Sequence, residues 1–332
     1  MSTITAHISR GAARRTLAAA MAAAICTTAA VLAASPVTAS AASKHIRSGS
    51  SYGWPVKPFD RQHAVRGYFG DPRIEPKPDG SRLRQFHFGV DVAAPNGTPV
   101  YATLTGRASI HPNHHDVVLI DGPSDVEFQY WHIIPTIQSG EYVTAYRTVI
   151  GHVESPWLHV HFSELRGGVF LNPLRPGAMG PYVDSTRPIV SALELERSAD
   201  SAHVAPAAAG GTIDLVAEVA DGTPLPIAAP WHDMPVMPAL VRWRLVSARG
   251  PATDWQTALD FRETIPSASA FSNVYAKWTR QNHPNHRGRY RIYLAHGWSC
   301  GQLSPGWYRI QVEASDIRDN TTVSEFPVRL AR

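Results

Sequence analysis

Cysteine is nearly missing: 332 residues hold two. One of them, Cys26, lies in an apolar N-terminal run, so a chain that sheds this run keeps Cys300 alone and has no intrachain disulfide open to it. An exported protein in that position takes its stability from core burial and from metal. Cys300 is expected as a small packed residue rather than a working thiol. The sequence has no HExxH segment, so no motif glutamate on a helix can serve as a base. It has no basic block interleaved with aromatics, which argues against a nucleic-acid partner. Beyond the N-terminal run there is no low-complexity tract, no internal repeat and no stretch with the length and apolarity to span a membrane. Lysine is scarce beside arginine, and the net charge of +4 favours contact with anionic wall polymers or membrane surfaces.

What the N-terminus does contain is an export signal. Arg10, Arg14 and Arg15 form a basic region, Leu17 to Ala34 is Ala-rich and apolar, and Ala39-Ser40-Ala41 offers a small-x-small cleavage site. Residues 1–41 are therefore read as a signal peptide, with no stable membrane insertion after its removal, and the protein as periplasmic or extracellular. The Arg14-Arg15 pair hints at twin-arginine export, with the general route left open. Cys26 follows Ile25, a poor setting for lipidation. Residues 42–53 read as a short linker.

The full chain is 44% hydrophobic and 17% charged, an ordinary globular balance, and is long enough for two domains after processing. Residues 54–183 are rich in short β-type runs broken by Pro and Gly, with Val117 to Asp121 and Val126 to Ile133 expected as a hairpin and Val143 to Ile150 as a further strand. Gly180-Pro181 to Pro188 marks a boundary. From 184 to 332 the strand-like runs resume at Val190–Leu195, Ile213–Val219, Leu240–Val246, Tyr290–Leu294, Trp307–Ala314 and Val323–Leu330, a spacing that suits a β-sandwich. The expectation is an all-β protein: an antiparallel β domain followed by a sandwich. Phe271, Val274, Tyr275 and Trp278 break the pattern with helical spacing and are read as core packing.

The chemistry gathers at His87-Phe88-Gly89-Val90-Asp91 and His159-Val160-His161. Side chains alternate along a strand, so His87, Gly89 and Asp91 are expected on one face, with Phe88, Val90 and Val92 on the other. His159 and His161 likewise share a face, backed by Leu158, Val160 and Phe162. Two such strands can face one ion. Two histidines and an aspartate leave a fourth position for water, as in catalytic zinc sites, and keep the net charge near +1. One Zn2+ per chain is expected.

At these residues the sequence resembles the lysostaphin/LytM-type zinc peptidases (peptidase family M23). His87-Phe88-Gly89-Val90-Asp91 is similar to that family's His-x-x-x-Asp segment, Tyr130-Trp131-His132 to its Tyr-x-His segment and His159-Val160-His161-Phe162 to its His-x-His-Phe segment. Trp54-Pro55-Val56 and Tyr68 to Arg73 resemble its opening strands and Asn172-Pro173 its closing turn. The resemblance covers roughly residues 54 to 175. It implies His87, Asp91 and His161 as zinc ligands and His132 and His159 as non-ligand catalytic groups, with base and oxyanion donor not assigned between the two. It implies hydrolysis of peptidoglycan peptides by a monomer; a protease of Gly-rich proteins and a non-catalytic wall-binding or hydrolase-activating protein are the rival readings. The ending Pro305 to Asn320 loosely resembles the last hairpin of bacterial immunoglobulin-like domains, so an Ig-like sandwich is expected there. Two loops depart from the family pattern: Glu154-Ser155-Pro156-Trp157-Leu158 lacks its Thr-Gly segment, and Gly106 to Asp116 lacks its Gly-Gly-Tyr-Gly run.

Four further groups need a reading. Glu164 is either a ligand-orienting carboxylate or an exposed strand-end charge, the latter being usual for Glu. Tyr130 either lines the cleft with His132 or is a half-buried strand residue. His111, His114 and His115 suit a surface loop, and so do His283 and His286.

Overall fold

A computed structural model describes residues 51–331; the expected signal peptide and residues 42–50 of the expected linker lie outside them. The chain is almost entirely antiparallel β-structure. None of its helices is long and apolar enough to cross a membrane, among the described residues.

The first half is built on one large sheet. Its strands run in the order Val65–Gly67, Val90–Ala93, His159–Arg166, Val126–Trp131, Val117–Asp121, Gly106–Ile110 and Tyr142–Val143, and Val169–Leu171 pairs with the far end of His159–Arg166. The β-branched and aromatic runs form these strands because alternate side chains bury on one face. Val90, Val92, Val118, Ile120, Phe128, Tyr130, Val160 and Phe162 all point into the main core. Val117–Asp121 and Val126–Trp131 form the expected hairpin. The expected strand from Val143 to Ile150 divides: Tyr142–Val143 joins the large sheet, while Val149–Val153 sits in a three-stranded sheet with Pro99–Tyr101 and Ile133–Pro135. Between them Tyr146 takes a positive φ, and the Arg147 and Thr148 amides bond back to the Thr144 carbonyl, so the chain turns.

The second half holds two antiparallel sheets. Ile189–Arg197, Thr212–Ala220 and Arg291–Ser299 form one; Leu240–Ser247, Gly306–Ser315 and Thr321–Leu330, with two short partners, form the other. Trp243 and Trp298, one from each sheet, meet edge to face at 6.3 Å. Cys300 is buried. The helical stripe shortens to a single turn, Phe271–Val274; Phe271, Val274 and Tyr275 are buried, whereas Trp278 is exposed.

The halves pack on one another. The Phe86 ring lies 5.6 Å from Phe261 and 5.4 Å from Phe271. The Met237 amide donates to Asp71 Oδ1 at 2.8 Å and the Asn172 side chain to the Phe261 carbonyl at 2.9 Å. Gly70, at φ +92°, lies under the Phe261 ring where no Cβ would fit. Tyr52, at the end of the expected linker, is buried, and its hydroxyl donates to Glu164 at 2.6 Å.

Candidate metal centre

Antiparallel register assembles the site. His161 pairs directly with Asp91 on one side and with Trp131 on the other, so its side chain shares a sheet face with Asp91 at the spacing of cross-strand neighbours. His159, two residues earlier, lies on the same face. His87 arrives from the turn before the Val90–Ala93 strand and is fixed by donating Nδ1–H to the Tyr68 carbonyl at 2.8 Å. That bond leaves its Nε2 bare, 2.7 Å from His161 Nδ1 and 3.0 Å from Asp91 Oδ1. Asp91 Oδ1 is in turn 3.2 Å from His161 Nδ1. The donor atoms of His87, Asp91 and His161 all lie within 4.8 Å of one another, and all three residues are buried. Four-coordinate zinc places its ligand atoms about 3.3 Å apart, given bonds of about 2.0–2.1 Å.

The donor set fits a cation. A bare imidazole nitrogen facing a carboxylate oxygen is two lone pairs in opposition unless positive charge lies between them. Protonation does not supply it readily: burial pushes the His87 imidazole down, helped by Arg73, and burial likewise holds His161 well below its ordinary value. Ser163 Oγ, 2.8 Å from His161 Nε2, accepts as readily as it donates, so it can keep the His161 proton on Nε2 and leave Nδ1 bare. Burial raises the Asp91 carboxyl, but His87, His159 and the Arg73 guanidinium outweigh it and hold the group well below the usual range. Arg73 Nη2 donates to the other oxygen, Oδ2, at 2.9 Å, which turns Oδ1 toward the histidines.

Gly89 makes the close approach possible. A Cβ there would strike the Phe162 carbonyl, Ser163 Oγ and His161 Nε2. The expected alternation through this segment holds only in part, because the strand begins at Val90. Val90 and Val92 enter the main core, but Phe88 does not follow them; it packs against the His161 ring at 4.8 Å and against Trp131 at 5.4 Å, walling the site.

The two remaining histidines flank the cluster. His159 Nδ1 lies 2.7 Å from the Trp157 carbonyl, and its Nε2 faces Asp91 Oδ1, 3.3 Å away. Burial, reinforced by Arg66, pushes this imidazole down to about 3, so it is neutral. His132 lies beside it, ring centroids 4.9 Å apart. The parity expected for Tyr130 and His132 fails: His132 has φ 65°, which ends the strand and swings its ring onto the site face. Tyr130 points the other way, fully buried, and its hydroxyl accepts from the Thr103 amide at 2.9 Å.

Several contributors were invisible in the sequence, and two of them come from the loops that depart from the family pattern. Asp116 Oδ2 lies 3.3 Å from His132 Nδ1, close but not aligned as a hydrogen bond. Trp157 stacks on the His132 ring at 4.1 Å and is 38% exposed, forming an open wall. Arg66 Nη2 lies 2.7 Å from His159 Nδ1, and its guanidinium stacks 3.8 Å from the Trp231 ring, which the second half supplies. The only sequence signal for any of these was the odd composition of the two loops.

Glu164 is neither an exposed charge nor a partner of the metal cluster. It is fully buried; Arg175 grips it at 2.7 and 2.8 Å, and Arg166 and Tyr52 add further bonds. His111 and His114 lean on Trp131 at the surface and His283 and His286 bond each other's backbones in a turn; neither group brings three donor atoms together.

No family model and no curated protein matches the chain. Among solved structures, a chain of the SpoIIQ–SpoIIIAH pore-forming complex is similar over 38% of this chain and 90% of its own, at 22% identity and a TM-score of 0.30. A zinc-containing peptidase from Vibrio cholerae is similar over 37% and 39%, at 22% and 0.30. The catalytic domain of lysostaphin from Staphylococcus simulans is similar over 30% and 77%, at 24% and 0.24. The functional reading rests on the geometry of the site itself.

Proposed function

We propose that this protein is an exported zinc-dependent endopeptidase that hydrolyses peptides of peptidoglycan. The observation that carries the reading is the convergence of His87 Nε2, Asp91 Oδ1 and His161 Nδ1 within 4.8 Å, with two further imidazoles beside them. These three residues would hold the ion. When bound, zinc supplies a Lewis acid and lowers the pKa of water toward ~7. The chain's own groups do the rest. His159 is neutral, with Nε2 3.3 Å from Asp91 Oδ1, and is placed to take a proton beside the cluster, although burial and Arg66 make it a weak base. His132, with Asp116 3.3 Å from its Nδ1 and its ring 4.9 Å from that of His159, is the second imidazole beside the cluster. Trp157 covers one side of both imidazoles, and Phe88 walls the His161 side of the cluster. The peptidoglycan assignment comes from the family resemblance of residues 54–175 and from the export signal.

A second reading is a non-catalytic binding protein on the same scaffold. It is favoured by the Arg66 guanidinium, pressed against His159 under Trp231. Digestion of purified peptidoglycan by the mature protein, with fragments identified by mass, separates the two. Release that stops with chelator and drops at least ~100-fold in His159→Ala, the usual contribution of a general base, supports the enzyme. No release from protein carrying stoichiometric zinc, with wall binding retained, supports the second reading.

A further inference from the structure

A second cluster of donors lies where the two halves of the chain meet. Asp184, from the connecting segment, Asp221, at the end of the Thr212–Ala220 strand, and Asp316, in the turn between the last two strands, bring one carboxylate oxygen each within 4.8 Å of one another. All three residues are buried, Asp221 to 4% exposure and Asp316 to 1%. Asp184 accepts from the Thr186 amide at 2.8 Å, from the Thr186 hydroxyl and from the Tyr182 hydroxyl at 3.1 Å. Asp316 accepts from the Arg318 and Asn320 amides at 2.7 and 2.9 Å and from the Asn320 side chain at 2.6 Å. Asp221 Oδ1 accepts from the Gly222 amide at 2.8 Å, but its Oδ2 has no partner at all. Arg318, the neighbouring cation, gives its side-chain hydrogens to the carbonyls of Tyr182, Leu174 and Ile317 instead.

We infer that Asp184, Asp221 and Asp316 form a calcium site that clamps the second half of the chain onto the first. An unpartnered carboxylate oxygen buried against two other carboxylates needs a counter-charge, since like charges in a low-dielectric interior cannot all stay ionised alone. The donors are all oxygen, which selects a hard divalent cation over zinc. Three carboxylates on three separated segments suit calcium, whose coordination is irregular, better than magnesium, which keeps several waters and takes one or two carboxylates. Without an ion, burial and then the two neighbouring carboxylates push Asp221 up to about 8, against the downward pull of the Gly222 amide.

The position gives the site work to do. The Asp221 amide and carbonyl pair with Val236 at 2.8 and 3.0 Å, closing the base of the loop that carries Trp231 to Arg66. The Asn320 side chain also donates to the Asp184 carbonyl at 3.0 Å, so the ion would tie the connector, the loop base and the last turn at one point.

The test uses the zinc-saturated mature protein with calcium varied. Terbium, a calcium surrogate, should show emission sensitised by Tyr182, displaceable by calcium and absent in Asp221→Asn. Calcium at millimolar concentration should raise the melting temperature of wild type by several degrees and leave Asp221→Asn unmoved. In calcium-free buffer the variant should melt at or above wild type, because it no longer buries an unpaired carboxylate. Asp316→Asn replaces it where Asp221→Asn does not fold. Wild type that shows neither terbium emission nor a calcium shift, and that melts below Asp221→Asn at every calcium concentration, would overturn the proposal and make the cluster a set of carboxyls sharing protons.

Discussion

The two ends of one strand, His159–Arg166, handle a buried carboxylate in opposite ways. At its far end Glu164 is saturated: Arg175 meets both oxygens, and Tyr52 and Arg166 add further bonds. At its near end, paired with His161, Asp91 has one oxygen on Arg73 and the other turned toward His87, whose Nε2 is bare, and toward His159 and His161. Both carboxyls are held below their ordinary value against the upward push of burial. Hydrogen-bond satisfaction is what separates them. A closed ion pair holds a fold together, whereas donors left facing one another are set for an ion.

The sharpest way to break that contrast is to remove the open carboxylate. Asp91→Ala should lose stoichiometric zinc by elemental analysis and lower wall hydrolysis at least ~10³-fold, about 4 kcal/mol in transition-state terms. Its melting temperature in chelator should also fall, since the variant loses the buried carboxylate that Arg73 bonds at 2.9 Å, so zinc content rather than stability is the decisive readout. Full zinc occupancy in Asp91→Ala would end the assignment of the cluster.

Much of this cluster was legible in the sequence. His87, Asp91 and His161 lie together, as expected of two facing strands, because antiparallel register turns alternation into proximity, and His159 and His132 lie beside them. Alternation misled wherever a strand stopped. Phe88 precedes the first strand residue and so faces the site, and the positive φ of His132 reverses the parity that would have put Tyr130 beside it. Glu164 was misjudged because its partner Arg175 comes from a turn eleven residues later, a contact no periodicity encodes. Asp116, Trp157 and Trp231 reach the site from loops, where sequence carries composition but not direction, and Arg66 from the short edge strand Val65–Gly67. The second sheet pair followed its runs closely: five strands contain the expected segment and extend it, while Arg291–Ser299 starts one residue after the expected Tyr290 and runs past Leu294.

Removing the closed carboxylate should act on stability and leave the metal alone. Glu164→Gln breaks a buried pair and should cost about 3 kcal/mol by denaturant unfolding, with zinc content unchanged. The pH dependence has a definite sign. Arg175 and the other donors depress the folded pKa of Glu164, so its contribution is present above the unfolded value of about 4.3 and disappears as pH falls through the folded one. The gap between wild type and variant should therefore close in acid. A gap that persists at the lowest pH would assign the loss to packing rather than charge.

The smallest effect tests the sheet's other face. Tyr130 is a neighbour of His132 in sequence, yet its hydroxyl serves the Thr103 amide and side chain at 2.9 and 2.8 Å on the core side. Tyr130→Phe leaves that amide unsatisfied and should cost about 1–2 kcal/mol of stability. Because the ring stays in the core and the backbone turn at His132 is untouched, kcat and zinc content should not move. A loss of kcat without a loss of stability would put the hydroxyl in the cleft, and the separation of a chemical face from a structural one would fail at the strand where the two lie closest.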